Sequence, residues 1–241
     1  MSKARLVMLS LVAVTLVSAV WSANAVAQEG PVWHVNGKKL EAAEVAAFKA
    51  ENYAGSTATL SATILSIKVT IVCKSFTGEG LIIGGSPGKN TEAIEFKECE
   101  VEGSLKEKCE VTLEKIKAVS ELVNLLGAEP KPILVAFSPE GGNAFVKVAL
   151  TAKTGQVCPL AGSYEVKKAE GAQYGVACVD THPEVEETTA LIMCTSPAVT
   201  EVEHGGAAVK VGLQILGSAA TFTADILSKL TSGLLFGAWK S

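Results

Sequence analysis

Residues 57–73, TATLSATILSIKVTIVC, decide the fold. Apolar side chains occupy every second position in two successive runs: Leu60, Ala62 and Ile64, then Ile67, Val69, Ile71 and Cys73. A period of two is typical of a strand with one face in a core and the other face in a polar setting. The phase changes by one residue between the runs, which would turn the apolar set to the opposite face. The pattern therefore predicts two strands separated by a bulge or a short turn at Leu65-Ser66.

Similar short alternating runs recur at 133–137, 146–150, 164–166 and 176–179, separated by Gly, Pro, Asn and Asp. Residues 209–215 and 220–226 also alternate on either side of Gly217-Ser218, which predicts a hairpin with a type II′ turn. Many short strands with frequent turns favour an all-β fold. We predict one antiparallel β-sandwich or barrel-like domain over residues 28–241.

Two segments fit this pattern poorly. Residues 39–51 are rich in Ala and Glu, which are good helix formers. In the segment 113–126, Ile116, Val119, Val123 and Leu126 would share one face of a helix. A short helix and an extended strand are both compatible with each segment, and neither outcome changes the fold class.

The stretch GGSPGKNT, residues 84–91, resembles a phosphate-binding loop because it is rich in glycine and contains Gly-Lys. A Walker A loop has four residues between its glycines and Ser or Thr after the lysine. Here only three residues separate Gly84 from Gly88, and Asn90 follows Lys89. We therefore interpret it as a turn between strands at 81–83 and 93–99.

The N-terminus has the pattern of a secretory leader. Lys3 and Arg5 precede an apolar run at 6–20, which is followed by two A-x-A sites ending at Ala25 and Ala27. The apolar run is short for a transmembrane helix, which needs about 20 residues. We predict a signal peptide at 1–27, with cleavage after Ala25 as the alternative, and no transmembrane span in the mature protein.

The charge balance is acidic. The chain has 21 basic and 25 acidic residues, a formal net charge of −4, and removal of Lys3 and Arg5 makes it two units more negative. Nucleic-acid binding depends on basic surface, so the sequence predicts no nucleic-acid partner. No cofactor is indicated either.

Six cysteines follow the leader: Cys73, Cys99, Cys109, Cys158, Cys178 and Cys194. An even number in an exported chain predicts three disulfides, for which 15 pairings exist. Our preferred pairing joins Cys99 to Cys109 and Cys178 to Cys194, which leaves Cys73 with Cys158. The spacings do not resemble those of zinc sites, so no metal site is predicted.

The chain has three histidines. We expect His34 to be a half-exposed strand residue beside Trp33 and His204 to lie in a loop. His182 falls in an acidic stretch with four carboxylates, which we interpret as a solvated loop closed by Cys178–Cys194: Asp180, Glu184, Glu186 and Glu187. Calcium loops have a fixed ligand order with a glycine at the turn, and this stretch has neither.

No motif supports a catalytic residue, since the chain has neither G-x-S-x-G nor H-E-x-x-H. A hydrolase site assembled from distant loops is the alternative. It predicts that His182 or His204 contacts both a serine and a carboxylate in a pocket. An outer-membrane-type barrel is a second alternative, disfavoured by an aromatic content of 5%.

Several stretches resemble uncharacterised secreted cysteine-containing proteins of actinobacteria of the Thermoleophilia type. They are WHVNGKKL, VTIVCKSFTGEGLI, IEFKECEVEG, KCEV, CPLAGSYEV and TSGLLFGAW. The resemblance implies one disulfide-stapled all-β domain in which 39–51 and 113–126 are extended. It also implies that Cys178, Cys194 and the acidic stretch between them are additions to the usual pattern. It carries no activity or catalytic residues.

Together these features predict an exported β-domain, secreted or associated with the cell envelope. We expect a non-catalytic binding or structural module that presents loops on a rigid sheet to an extracellular or cell-wall ligand.

Overall fold

The structure is a computed structural model that describes residues 29–128, 130–194 and 199–241. Within these ranges the chain is almost entirely β-structure, with one 3-10 turn at Gly103–Leu105. The strands pair antiparallel and form one large and one small sheet. The predicted all-β class is confirmed. The predicted leader lies outside the described residues.

The strands are β1 Val32–Val35, β2 Lys38–Lys39, β3 Val45–Asn52, β4 Ala58–Ile64, β5 Ile67–Ile83, β6 Lys89–Val101, β7 Cys109–Leu113, β8 Ile116–Leu125, β9 Ile133–Pro139, β10 Ala144–Ala152, β11 Gly162–Lys168, β12 Val176–Asp180, β13 Ala190–Cys194, β14 Glu201–His204, β15 Ala207–Lys210, β16 Leu213–Ile215, β17 Ser218–Leu230 and β18 Phe236–Trp239.

Eight strands close into a barrel-like ring. Their order is β13-β12-β9-β8-β6-β5-β3-β17, and β17 returns to pair with β13 from Ala190↔Ser228 to Cys194↔Ala224. Alternate side chains of these strands point inward and form a core with Phe48, Ile82 and Leu122. Closure gives each ring strand a hydrogen-bonded neighbour on both sides, which is how barrels remove exposed edges.

The long strands β5, β6 and β17 continue beyond the ring into a second lobe. There β4 replaces β3 between β17 and β5, and β16, β11, β10 and β7 extend the sheet. Val148, Leu150 and Ile215 fill the interior of this lobe. We call its outer end, formed by the connections 65–66, 102–108, 153–161 and 216–217, the hairpin end.

The opposite end of the molecule, the cap end, is covered by the small sheet of β18, β1 and β2. Trp33 and Phe236 of this sheet enter the core. The loop 84–88 is bound beneath it, since Gly88 N donates to Pro31 O and Gly84 N to Glu44 O, each at 2.8 Å. The predicted turn between β5 and β6 is confirmed for residues 84–88 of the stretch GGSPGKNT, whereas Lys89, Asn90 and Thr91 belong to β6, which begins before the expected residue 93.

Two tight turns define the strand register of the second lobe. Ile64 pairs with Ile67, and Leu65 and Ser66 have φ of 48° and 68°, as in a type I′ turn. The turn expected at this phase change is confirmed. The C-terminal hairpin is also present, but its turn residues are Leu216 and Gly217, with φ of 50° and 78°. The type II′ turn at Gly217-Ser218 was therefore the wrong assignment.

The segment 209–215 is not one strand, because β15 pairs with β14 whereas β16 pairs with β11 and β17. Neither candidate helix forms. Residues 45–52 and 116–125 are strands β3 and β8, each hydrogen-bonded on both sides. Helix propensity differs by only tenths of a kcal/mol between most residues, so these pairings override it.

All six cysteines form disulfides: Cys73–Cys99, Cys109–Cys158 and Cys178–Cys194. The predicted count and Cys178–Cys194 are confirmed, whereas Cys99–Cys109 and Cys73–Cys158 were wrong. Cys73 lies directly opposite Cys99 in the β5–β6 ladder. Cys109 instead begins β7, which pairs with β10, and this places it near the loop that carries Cys158.

Candidate functional site

The three histidines occupy separate places in the fold. His34 lies on β1 and stacks on Trp239 with ring centroids 4.5 Å apart. This agrees with the expected strand position beside Trp33. His182 lies in the connection between β12 and β13, and His204 ends strand β14 rather than lying in a loop. The structure therefore does not combine the imidazoles into one site.

The most developed polar cluster surrounds Glu121 on the outer face of β8. Tyr174 donates a 2.7 Å hydrogen bond to Glu121 Oε2, Lys89 Nζ lies 3.0 Å from Oε1, and His204 Nε2 lies 3.3 Å from Oε2. Burial is the largest single influence and disfavours the charge on Glu121, but the hydrogen bonds from Tyr174 and Lys89 and the positive charges of Lys89 and His204 together outweigh it and lower the pKa. Burial, and next the bond to Glu121, raise the pKa of Tyr174. The cluster therefore holds an ionised carboxylate and a neutral phenol.

Both ring nitrogens of His204 are engaged. Gln173 Nε2 lies 3.1 Å from His204 Nδ1. An amide nitrogen only donates, so Nδ1 accepts and the neutral ring carries its proton on Nε2, facing Glu121. Gln173 Nε2 also lies 3.2 Å from the Tyr174 hydroxyl. No lone pair of this imidazole is directed at a nucleophile, so the cluster fixes β14 against β8 rather than forming a general base.

His182 has a hydroxyl and a carboxylate nearby, but not in a catalytic arrangement. Thr181 Oγ1 lies 3.0 Å and Glu187 Oε2 3.8 Å from the same nitrogen, Nδ1. The Thr181 hydroxyl donates to Leu191 O at 2.9 Å, so it accepts from the imidazole. The His182 side chain is 54% exposed. In the described part of the chain, no histidine contacts both a serine hydroxyl and a carboxylate, as the hydrolase alternative requires.

The acidic stretch around His182 is bound to the cap sheet, which differs from the solvated loop expected. Glu187 and Phe236 exchange two backbone hydrogen bonds of 3.0 Å, and Glu184 N donates to Ala238 O at 2.7 Å. Gly37 N donates to both carboxylate oxygens of Glu186, at 2.8 and 2.7 Å. The loop is therefore a strap across the cap end.

Asp180 begins this strap and is buried. His182 N donates to Asp180 Oδ1 at 3.1 Å. Burial is the largest influence on the carboxyl and raises its pKa, against the opposing hydrogen bond from His182. Within 29–128, 130–194 and 199–241, no group of three or more His, Cys, Asp or Glu side chains could hold a metal ion.

Three polar side chains point into the ring near the cap. Asn90 and Glu92 lie on the inward face of β6, and Ser120 lies opposite Asn90 on β8. Their atoms Asn90 Oδ1, Glu92 Oε1 and Ser120 Oγ are buried without a hydrogen-bond partner. Burial raises the pKa of Glu92 to about 8, against the opposing influence of the nearby Ser120 hydroxyl. Glu92 is therefore predominantly neutral at pH 7.

Sequence reasoning overlooked this interior cluster, although its signal was present. In the predicted strand at 93–99, the apolar Ile94 and Phe96 alternate with charged residues, and Asn90 and Glu92 have the same parity as these two apolar residues. Extending the alternation by four residues would have placed both polar side chains inside. The prediction starts this strand at residue 93, whereas β6 starts at Lys89, because polar residues after a glycine-rich stretch are typical of a turn.

An apolar cavity of about 90 Å³ lies where the ring and the second lobe share their core. Its lining includes five phenylalanines and the Cys178–Cys194 disulfide: Phe76, Phe96, Phe137, Phe145 and Phe222. Engineered dry cavities that admit benzene are larger, about 150 Å³. The cavity provides no polar group that would orient a ligand.

No protein-family model, curated protein or solved structure matches the chain in the three comparisons made. Among the described residues, no helix has the length and apolar character of a membrane span.

Proposed function

We propose that this protein is exported and acts as a non-catalytic binding or structural module in the extracellular space or cell envelope. The observation that carries the proposal is the pairing of all six cysteines in three disulfides. Structural disulfides persist in oxidising compartments and are rare in the cytosol. The leader pattern at 1–27 gives a route to such a compartment.

The polar clusters support a module without catalysis. Glu121, Tyr174 and His204 satisfy one another, and Glu186 is occupied by the backbone of Gly37. Groups that bind each other in this way stabilise the attachment of β14 and of the strap. The domain then presents loops on a rigid scaffold, an arrangement on which binding residues are often found.

Intact-mass spectrometry of protein recovered from the culture supernatant tests the proposal. We expect a chain that begins at residue 28, or at residue 26, with a mass that rises by six hydrogens on reduction. Intact full-length protein confined to the cytoplasm, or cysteines that react with an alkylating agent before reduction, would contradict it.

A further inference from the structure

Two successive rungs of the β6–β8 ladder place polar side chains inside the ring. Asn90 pairs with Ser120, and Glu92 pairs with Ala118. Asn90 and Ser120 are only 6% and 1% exposed. Among the described residues, Asn90 Oδ1, Glu92 Oε1 and Ser120 Oγ have no hydrogen-bond partner. Buried polar groups in folded proteins are almost always hydrogen-bonded, to protein or to ordered water, so we expect each of these atoms to have a partner.

The cap sheet contributes a fourth buried polar atom without a partner in the described part of the chain, Trp33 Nε1. A Cβ atom added at Gly88 would lie 2.6 Å from Trp33 Cδ1 and 3.1 Å from Trp33 Nε1. Gly88 continues the β6–β8 register two residues before Asn90, because Leu122 N donates to Gly88 O at 2.8 Å. The indole N–H therefore lies beside the polar rungs of the ring.

Ser120 and Glu92 are close to each other without a direct bond. Burial raises the pKa of Glu92, and the Ser120 hydroxyl is near enough to oppose that rise. Nevertheless, neither Ser120 Oγ nor Glu92 Oε1 forms a hydrogen bond with a described residue. Polar groups that are near each other but not directly bonded are typical of groups joined through a water molecule.

The four atoms together require an occupant that both donates and accepts hydrogen bonds. The Trp33 indole nitrogen is only a donor, and the Asn90 carbonyl oxygen is only an acceptor. A metal cation could not bind the indole N–H, and an anion would be opposed by the oxygens of Asn90 and Glu92. Water donates two hydrogen bonds and accepts two, and it binds in proteins where two to four polar groups surround it.

The interior space also fits water. Ala118, opposite Glu92, lines the apolar cavity of about 90 Å³, whereas one water molecule needs only about 10–15 Å³. On the other side of the polar rungs, Trp33 enters the core and the loop 84–88 is bound to Pro31 and Glu44. The polar atoms therefore lie between this small cavity and the closed cap end.

We propose that the ring contains a binding site for ordered water, formed by these four atoms: Trp33 Nε1, Asn90 Oδ1, Glu92 Oε1 and Ser120 Oγ. The bound water joins β1 of the cap sheet to β6 and β8 of the ring. The cap is then attached through solvent-bridged side chains as well as through backbone hydrogen bonds. This site does not depend on export or on an extracellular ligand.

Oxygen-17 magnetic relaxation dispersion of the purified mature protein tests the site, because the method detects water molecules held inside a protein and labile protons do not contribute. The variant Asn90→Leu/Glu92→Met/Ser120→Ala replaces the polar groups of the ring with apolar groups of similar size. It should lose the dispersion amplitude of at least one water molecule. The matched control is Thr91→Val/Glu95→Met, on the outward face of β6, and it should keep the wild-type amplitude.

A crystal structure of the wild type provides a second reading that does not depend on the folding of the triple variant. Solvent density should lie within about 3.2 Å of at least two of the four atoms. Equal dispersion amplitudes in the wild type and the folded triple variant would overturn the proposal. So would a crystal structure in which the four atoms bond directly to protein groups, or in which no solvent density lies beside them.

Discussion

A Cβ atom added at Gly84, at the cap end, would overlap the carbonyl oxygen of Glu41, whereas one added at Gly217, at the hairpin end, would meet nothing within 4 Å. The cap end is closed by backbone packed on backbone, with polar side chains enclosed beneath it. The hairpin end finishes in open turns with leucines in solvent. The same strands, β5 and β17, run into both ends, so the difference comes from their connections. Residues with alternating polarity form the strands of the sheet, and the connections between strands make the two ends different.

Removal of a disulfide should lower the free energy of unfolding more than the other substitutions do. The loss should also differ between the hairpin end and the ring. Cys109–Cys158 spans 49 residues at the hairpin end, and Cys178–Cys194 spans 16 in the ring. Loop-closure entropy predicts losses of about 4 and about 3 kcal/mol for the Cys109→Ala/Cys158→Ala and Cys178→Ala/Cys194→Ala variants. Urea unfolding measures both. A larger loss for the ring variant would show that this disulfide does more than constrain the unfolded chain.

The buried carboxyl of Glu92, near the cap end, should make the free energy of unfolding depend on pH. Its folded pKa of about 8 lies above the usual value of 4.5, so its contribution is fully present below pH 4.5 and is lost as the pH rises through 8. Glu92→Gln should therefore be more stable than wild type at pH 8.5, by on the order of 3 kcal/mol. Unfolding free energies at pH 5 and 8.5 check this.

The control for this variant is Glu95→Gln, three residues along the same strand, where the side chain is 57% exposed. It should keep the wild-type fall in stability between pH 5 and 8.5. If Glu92→Gln keeps that fall too, the Glu92 carboxyl is ionised in the fold and the cap region is not enclosed as described.

Alanine at the two glycines tests the packing difference directly. Gly84→Ala should cost about 2–3 kcal/mol, because the methyl group would overlap backbone atoms of residues 40 and 41. Gly217→Ala should cost about 1 kcal/mol, since only its φ of 78° is unfavourable. Thermal melts of the two variants give the comparison, and equal losses would mean that the loop 84–88 is not held as the structure shows.

The smallest effect should be a gain in stability at the hairpin end. Leu65→Asn and Leu216→Asn should each stabilise the fold by about 0.5–1 kcal/mol, because asparagine tolerates the left-handed conformation better than leucine. Chemical denaturation of each single variant measures the gain. A loss would indicate that the leucine packs within the chain.

The alternation of residues 57–73 predicts the β4–β5 hairpin and its turn, because the side-chain period and the phase change are both local properties of the sequence. The disulfide pairing was not local. Cys73 meets Cys99 only because β5 and β6 pair in one particular register. Spacing favoured Cys99–Cys109, but the chain turns away at 102–108 and takes Cys109 to β10.

The polar clusters were inaccessible from the sequence for the same reason. Glu121, Tyr174 and His204 come from three distant segments that β8, its neighbouring strands and β14 bring together. To predict the strap, one would have to know that residues 184–187 lie against β18. By contrast, the inward position of Glu92 follows from strand parity and could have been predicted.

Non-reducing peptide mapping of the purified protein tests the strand arrangement most directly. Digestion with trypsin and a glutamate-specific protease should yield three linked pairs: Cys73 with Cys99, Cys109 with Cys158, and Cys178 with Cys194. These links follow from the register of β5 on β6, from the position of β7 and from the register of β12 on β13. A link between Cys99 and Cys109, or between Cys73 and Cys158, would contradict the sheet and with it the two ends that it builds.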